Sequence, residues 1–357
     1  MAEPMTGAAF PSGWRGAVVR AGLAGLRASL AVSPRPTVWL IRRQFAQSGQ
    51  ELAASLHAHR PATVTAVTDE PYDGRAETRL DVFYRQGIAT NSRLPTVVWT
   101  HGGAFVGGDK SDTDDYFRLI AASGLTVAAI NYTLAPQGRY PTPVQQLMTA
   151  LHYLQANADR YHIDPDQIVL AGDSAGAHIA AQAAAAVTNP DCAQRLGIAP
   201  TIRPEQLSAV VLCCGIFDLA LVSPDSPVRD FIRAVAWAYS GTRDYRKDEW
   251  FMSTMAIPNQ ITTMFPPSFV TVGNADPLGS HSRALLSALQ AHGVETDALL
   301  FPDDHHPPLG HEYQFNIDTE DGQTALQRLV SFVRARTVGP QPDPAPGNTS
   351  LPIWRSP

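Results

Sequence analysis

Seven short strand-like runs punctuate the chain, at residues 78–85, 96–100, 126–131, 167–171, 207–214, 268–272 and 298–301. Their length and richness in Val, Ile, Leu, Phe and Thr predict strands. After the first two, helical stretches alternate with them, most clearly the alanine-rich run 175–187 and the stretch 280–291. Strands alternating with helices predict an α/β fold with a largely parallel sheet covered on both faces. Two regions fall outside this alternation. In the first, up to about residue 61, Val38, Ile41, Phe45, Leu52 and Leu56 recur at helical spacing. In the second, residues 216–266, Phe231, Ile232, Val235 and Tyr239 form another apolar stripe.

The chemistry concentrates where strand gives way to helix. Gly172-Asp173-Ser174-Ala175-Gly176 sits between the run 167–171 and the helix 175–187. A serine at the apex of such a sharp turn has its hydroxyl exposed above a sheet, and the glycines let strand and helix close together. The bare string also fits an ordinary turn. A second element, however, lies upstream: the strand 96–100 runs into His101-Gly102-Gly103-Ala104-Phe105. Small residues let backbone N–H groups approach a substrate oxygen, so Gly102, Gly103 and Ala104, together with Ala175, are the candidate oxyanion-hole donors.

With these two motifs the chain resembles the hormone-sensitive lipase family of serine esterases over roughly residues 78–336. Asn131-Tyr132-Thr133-Leu134-Ala135-Pro136 and Asn274-Ala275-Asp276-Pro277-Leu278 extend the likeness. The resemblance implies an α/β-hydrolase fold with a helical cap. The core would be residues 66–215 and 267–337, and the cap would be residues 1–65 and the insertion 216–266. It also implies that Asp276 is the acid of a Ser-His-Asp triad, although an aspartate before proline is equally a helix N-cap. The histidine is left open between two residues. Distance from the last strand favours His306; the aromatic Tyr313 two residues on favours His311, which is the expected base, with His306 as the alternative. Asp173 is expected to orient the turn rather than move protons. Three departures stand out: Ala104 replaces the third glycine of the upstream motif, and Thr133 and Gln137 stand where the family has an arginine and a glutamate.

Such a triad needs no metal or organic cofactor, and adjacent residues such as Asp303, Asp304, His305 and His306 seldom converge on one ion. The expected reaction is hydrolysis of short to medium acyl esters through an acyl-enzyme on Ser174, with His311 as base. Lactone or amide hydrolysis and acyl transfer are open to the same triad. The rival reading is a non-catalytic small-molecule binding protein on the same fold.

Composition narrows the partners. A net charge of -6 supplies no basic field for nucleic acid, so the expected partner is a small ester. Cys192, Cys213 and Cys214 are too few and too apolar in setting for a disulfide framework. Arg20 and Arg27 interrupt the apolar stretch 17–32, which predicts an amphipathic helix rather than an export signal or a stable membrane insertion. A cytoplasmic location is expected by default, and a homodimer is left open. The proline-rich tail 338–357 is expected to be extended, with Leu351, Ile353 and Trp354 able to dock on a surface.

Overall fold

Residues 168–171 on the central strand are entirely buried, as a strand must be when both its faces are covered by helices. A computed structural model describes residues 32–337 except 224, 226 and 227. The expected N-terminal helix before residue 32 and the docking tail lie outside the described residues. Strands β1 (Val64–Pro71), β2 (Arg79–Arg85), β3 (Leu94–Thr100), β4 (Thr126–Ile130), β5 (Ile163–Asp173), β6 (Leu207–Cys213), β7 (Ser268–Val272) and β8 (Thr296–Leu300) form one sheet. Their order is β1-β2-β4-β3-β5-β6-β7-β8. The pairs β1/β2 and β2/β4 are antiparallel, and every other neighbouring pair is parallel.

The helices are α1 (Arg35–His57), α2 (Asp114–Ala122), α3 (Thr142–Ala156), α4 (Ser174–Thr188), α5 (Pro190–Leu196), α6 (Arg229–Ser240), α7 (Glu249–Met255), α8 (Gly279–Ala291) and α9 (Glu320–Thr337). Side chains alternate across the sheet with the period of two that a strand imposes. Val98 and Leu170 enter one core with α3, α4 and α8, whereas Val97, Trp99, Val169 and Ala171 enter the other with α2 and α9. Every residue of α4 is buried, and its alanines let the helix lie close against the sheet.

One strand was not foreseen. β1 is an edge strand in which only Val64 is buried, so it carries no alternating apolar signal. Its register breaks between Val67 and Glu70, where Asp69 takes a positive φ of 60°. The chain switches into the sheet one element earlier than the apolar pattern indicates. Outside the sheet, α1 reaches the loop after β3 through Arg42, which donates to the carbonyls of Val106 at 2.7 Å and Ala135 at 2.8 Å. Phe45 of α1 meets Phe231 of α6 edge to face at 6.4 Å. The two regions that stood outside the alternation therefore pack on each other, beside the C-terminal ends of the strands.

Candidate active site

In open α/β sheets the crevice for a ligand opens at the carboxyl ends of the strands, where the strand order reverses. β5 ends there, and Ser174 is its first residue beyond the sheet, with φ at 50°. A left-handed backbone on a residue other than glycine is strained by about 1–3 kcal/mol and persists only where the surroundings enforce it. Close packing surrounds the turn: a Cβ on Gly176 would lie 2.0 Å from the carbonyl oxygen of Thr100 and 2.5 Å from that of His101. Only glycine allows α4 to begin so close to the end of β3.

Three side chains predicted from separate parts of the chain converge on this turn. His311 Nε2 lies 2.9 Å from Ser174 Oγ, and His311 Nδ1 lies 2.8 Å from Asp276 Oδ2. The other Asp276 oxygen accepts from the Leu278 N–H at 2.7 Å. One oxygen thus holds the turn ahead of α8, whose N-cap is Leu278 rather than Asp276, and the other faces the imidazole. Burial opposes charge on His311, but the adjoining Asp276 carboxylate overrides it and holds the imidazole well above the ordinary histidine range. His306 is not brought to the site; it is exposed on the loop before it.

The upstream loop wraps around the same serine. Gly103 has a φ of 104°, and its carbonyl accepts from the N–H groups of Val106 at 3.1 Å and Gly107 at 2.9 Å, closing a tight turn. Ala104 and Phe105 follow with φ of 53° and 62°. Ala104 therefore holds a left-handed backbone that a glycine would take freely, at a cost of roughly 1–2 kcal/mol. Gly102 departs from expectation: its N–H donates to Asp173 Oδ2 at 2.8 Å and is not aimed at a substrate oxygen. Gly103 and Ala104 remain as loop candidates. The N–H of Ala175, in the first turn of α4, has no acceptor within its own helix, as all first-turn amides lack one.

Asp173 receives a second donor, Trp99 Nε1 at 2.7 Å. It is therefore the peg that ties β3 and the upstream loop to the serine turn. Behind the loop, the His101 ring stacks on Tyr132 at 4.6 Å, and Ala135 N–H donates to the Phe105 carbonyl at 2.8 Å. Cys214, φ 44°, lies buried against His311, and burial pushes its thiol up to about 11. Cys214, Asp276 and His311 place ligating atoms within 4.8 Å of one another. Both imidazole nitrogens of His311 already face Asp276 and Ser174. Glu312, absent from the sequence expectations, projects its carboxyl to within 3.8 Å of His311 Nε2.

Residues 97–309, more than half the chain, match the profile of an alpha/beta hydrolase fold family, Abhydrolase_3. The chain belongs to this alpha/beta hydrolase family. An acetyl esterase of Salmonella paratyphi B is 30% identical to the hydrolase over 288 residues, 78% of this chain and 82% of that one. Among solved structures, esterase B from Lactobacillus Rhamnosis inhibited by a tributyrin phosphonate superposes with a TM-score of 0.72 at 22% identity, covering 84% of this chain and 95% of that one. The hyperthermophilic esterase from Pyrobaculum calidifontis gives 0.67 at 23%, covering 89% and 98%. At these identities the superpositions establish the fold alone. At Thr133 and Gln137, where the sequence departs from the expected arginine and glutamate, hydrogen bonds hold the segment. Gln137 Oε1 accepts from Arg42 at 2.8 Å, and Thr133 is held by Gln146 at 2.8 Å. No described helix is long and apolar enough to cross a membrane.

Proposed function

We propose that this carboxylic-ester hydrolase cleaves short-acyl esters through Ser174, His311 and Asp276. The observation that carries the reading is the unbroken hydrogen-bonded line from Ser174 Oγ through the imidazole to Asp276, at 2.9 and 2.8 Å. A serine hydroxyl is a weak nucleophile until a neighbouring base takes its proton, and His311 Nε2 is in position to do so. Asp276 fixes the tautomer and stabilises the imidazolium. As Oγ bonds to the acyl carbon, the carbonyl oxygen takes negative charge and is met by the N–H groups of Gly103, Ala104 and Ala175. Each such donor is typically worth roughly 10²- to 10³-fold in rate. His311 then protonates the leaving alcohol, and water, deprotonated by the same nitrogen, releases the acid.

The short-acyl preference rests on taking the apolar packing beyond Phe105, next to the oxyanion loop, as the acyl side of the site. The apolar seam there, lined by Phe105, Ile232, Val235, Tyr239, Phe251 and Met255, encloses only about 10 Å³. That is about the space of one water molecule. The Phe105 ring lies flat on Tyr239 at 4.1 Å. Trp250 and Met264, also in the insertion, are exposed instead. The name of the Salmonella relative, an acetyl esterase, points the same way. The region formed by α1, α6 and α7 would act as the cap.

The test is hydrolysis of p-nitrophenyl esters from acetate to palmitate by wild type and by Ser174→Ala, His311→Ala and His306→Ala, with phosphonate labelling of Ser174. The expected result is activity greatest on the shortest esters, lost with Ser174→Ala and His311→Ala and kept with His306→Ala. A wild type inactive on every ester and inert to phosphonate would leave ligand binding in the same cleft as the better account.

A further inference from the structure

A carboxyl group stands where the reaction would least tolerate a second negative charge. Glu312 follows His311 directly, held at a φ of 60°. Its Oε1 is 3.8 Å from His311 Nε2, the nitrogen that faces Ser174. The same oxygen would lie 2.8 Å from a Cβ built on Gly102, and Ser174 Cβ would lie 3.2 Å from it. Glu312 is thus wedged between the base and the oxyanion strand. Asp173 Oδ2 would crowd that same Cβ, so the Glu312 and Asp173 carboxyls face each other across Gly102.

Two carboxyls in contact cannot both ionise cheaply, so the pair keeps one proton. Its place follows from the donors. Trp99 Nε1 and Gly102 N already donate to Asp173, at 2.7 and 2.8 Å, and such donors favour the anion. The proton therefore sits on Glu312, whose O–H completes a third bond to Asp173.

We propose that Glu312 is a positioning residue for ester hydrolysis, acting as a neutral carboxylic acid that donates to Asp173 and so locks the oxyanion strand against the nucleophile. Ionising it sends that proton to water, breaks the clamp on Asp173 and leaves a carboxylate to compete for the His311 N–H and repel the oxyanion. The reaction then stops. The inference rests on the ester-hydrolase reading of this site.

The charged and titratable groups around Glu312 agree with this assignment. Burial raises its carboxyl to about 8; His311 opposes that, while Asp173 and Asp276 reinforce it. Asp112, in the turn before α2, and the buried thiols of Cys213 and Cys214 also sense it. The neutral form thus prevails at neutral pH and gives way in the mild alkaline range.

The experiment is the pH dependence of kcat and kcat/KM on p-nitrophenyl acetate for wild type, Glu312→Gln and Glu312→Ala, each checked by phosphonate labelling of Ser174. Wild type should lose activity about tenfold or more between about pH 7 and about pH 9.5, with a midpoint near 8. Glu312→Gln, which still donates but cannot ionise, should fall only a few-fold near neutrality and lack the alkaline limb. Glu312→Ala, which loses the clamp but has no carboxyl to ionise, should lower kcat near neutrality with little change in KM and should also lack the alkaline limb. A protonated-carboxyl stretch in infrared spectra near neutrality, absent from Glu312→Gln, reports the proton without turnover. An alkaline limb of the same midpoint in Glu312→Gln, or wild-type kcat in Glu312→Ala, overturns this proposal while leaving the esterase intact. A wild type that neither hydrolyses esters nor reacts with phosphonate overturns both.

Discussion

Replacing Gly176 with alanine tests the close approach on which the site depends. The added methyl would lie 2.0 Å from the Thr100 carbonyl oxygen, 2.5 Å from that of His101 and 2.6 Å from the Thr100 carbonyl carbon. All three are backbone atoms at the end of β3, so no side chain can swing aside. Ordinary contact begins at about 3.4 Å, so relief requires a separation of about 1.4 Å, the difference between 3.4 and 2.0. The movement must come from α4, which carries Ser174 and the Ala175 N–H, or from the strand that carries the oxyanion loop. A misplacement of about 1 Å can cost on the order of 10²-fold in rate. Overpacking of this kind costs typically about 1–3 kcal/mol of stability. Gly176→Ala should therefore stay folded by near-ultraviolet circular dichroism, melt earlier, and lose about 10²-fold or more in kcat/KM on p-nitrophenyl acetate. Wild-type kcat/KM with an unchanged melting temperature would show that the helix does not need this contact, and the explanation of the glycine would fail.

Asp276→Asn keeps a side-chain oxygen for the Leu278 N–H but no longer holds the imidazole as an anion, so kcat should fall by about 10³- to 10⁴-fold with the fold intact. Because the reaction needs neutral His311 and Asp276 raises its affinity for protons, the acid limb of wild-type kcat/KM should lie above the ordinary histidine value of about 6.5. Residual activity of the Asn variant should show that limb displaced downward, and a limb that stays in place would separate Asp276 from the imidazole. Met255→Ala should open the seam against Phe105 and raise the hexanoate-to-butyrate rate ratio by about tenfold, since two buried methylenes are worth about 1.6 kcal/mol. Unaltered chain-length preference in a folded variant would place the acyl group elsewhere. Lys110, buried between Asp69 and Asp81 at 2.9 Å from each, anchors the turn that follows the oxyanion loop. Asp81→Ala should lower stability in urea by about 3 kcal/mol, because one partner is lost to a buried charge.

Much of the architecture was readable because its cause is local. A strand buried on both faces must be apolar or hide its polar groups, as 168–171 does and as 268–272 does by donating the Ser268 and Thr271 hydroxyls to the Pro266 and Leu299 carbonyls; a helix flush against a sheet must be small, and 175–187 is mostly alanine. β1 is illegible for the same reason, since an edge strand buried only at Val64 leaves no such trace. Spacing from β8 pointed to His306 and the residues after the histidine to His311, and neither signal measures where a loop folds back. The intervening segment turns through a cis peptide between His306 and Pro307, and the Leu309 N–H docks on Asn274 Oδ1 at 2.8 Å. Leu309 O in turn accepts from Ala275 N–H at 2.9 Å, one residue before Asp276. The aspartate loop thus sets the path of the histidine loop.

Gly102 illustrates what motif reading leaves out. A glycine in the upstream motif was expected to lend its N–H to the substrate, yet that N–H is already engaged by Asp173. The residue before the nucleophile and the first glycine of the loop are bound to each other, and Trp99 joins them from β3. Such a bond joins residues 71 positions apart, and no local pattern announces it. Glu312 is still less legible, because nothing about a glutamate after a histidine distinguishes a solvated carboxylate from a buried acid. Its meaning arises only when β5 and the histidine loop bring two carboxyls into contact and the indole and amide donors decide which of them holds the proton. The electrostatic state of the site is therefore a property of the packed fold, one step beyond what any one motif encodes.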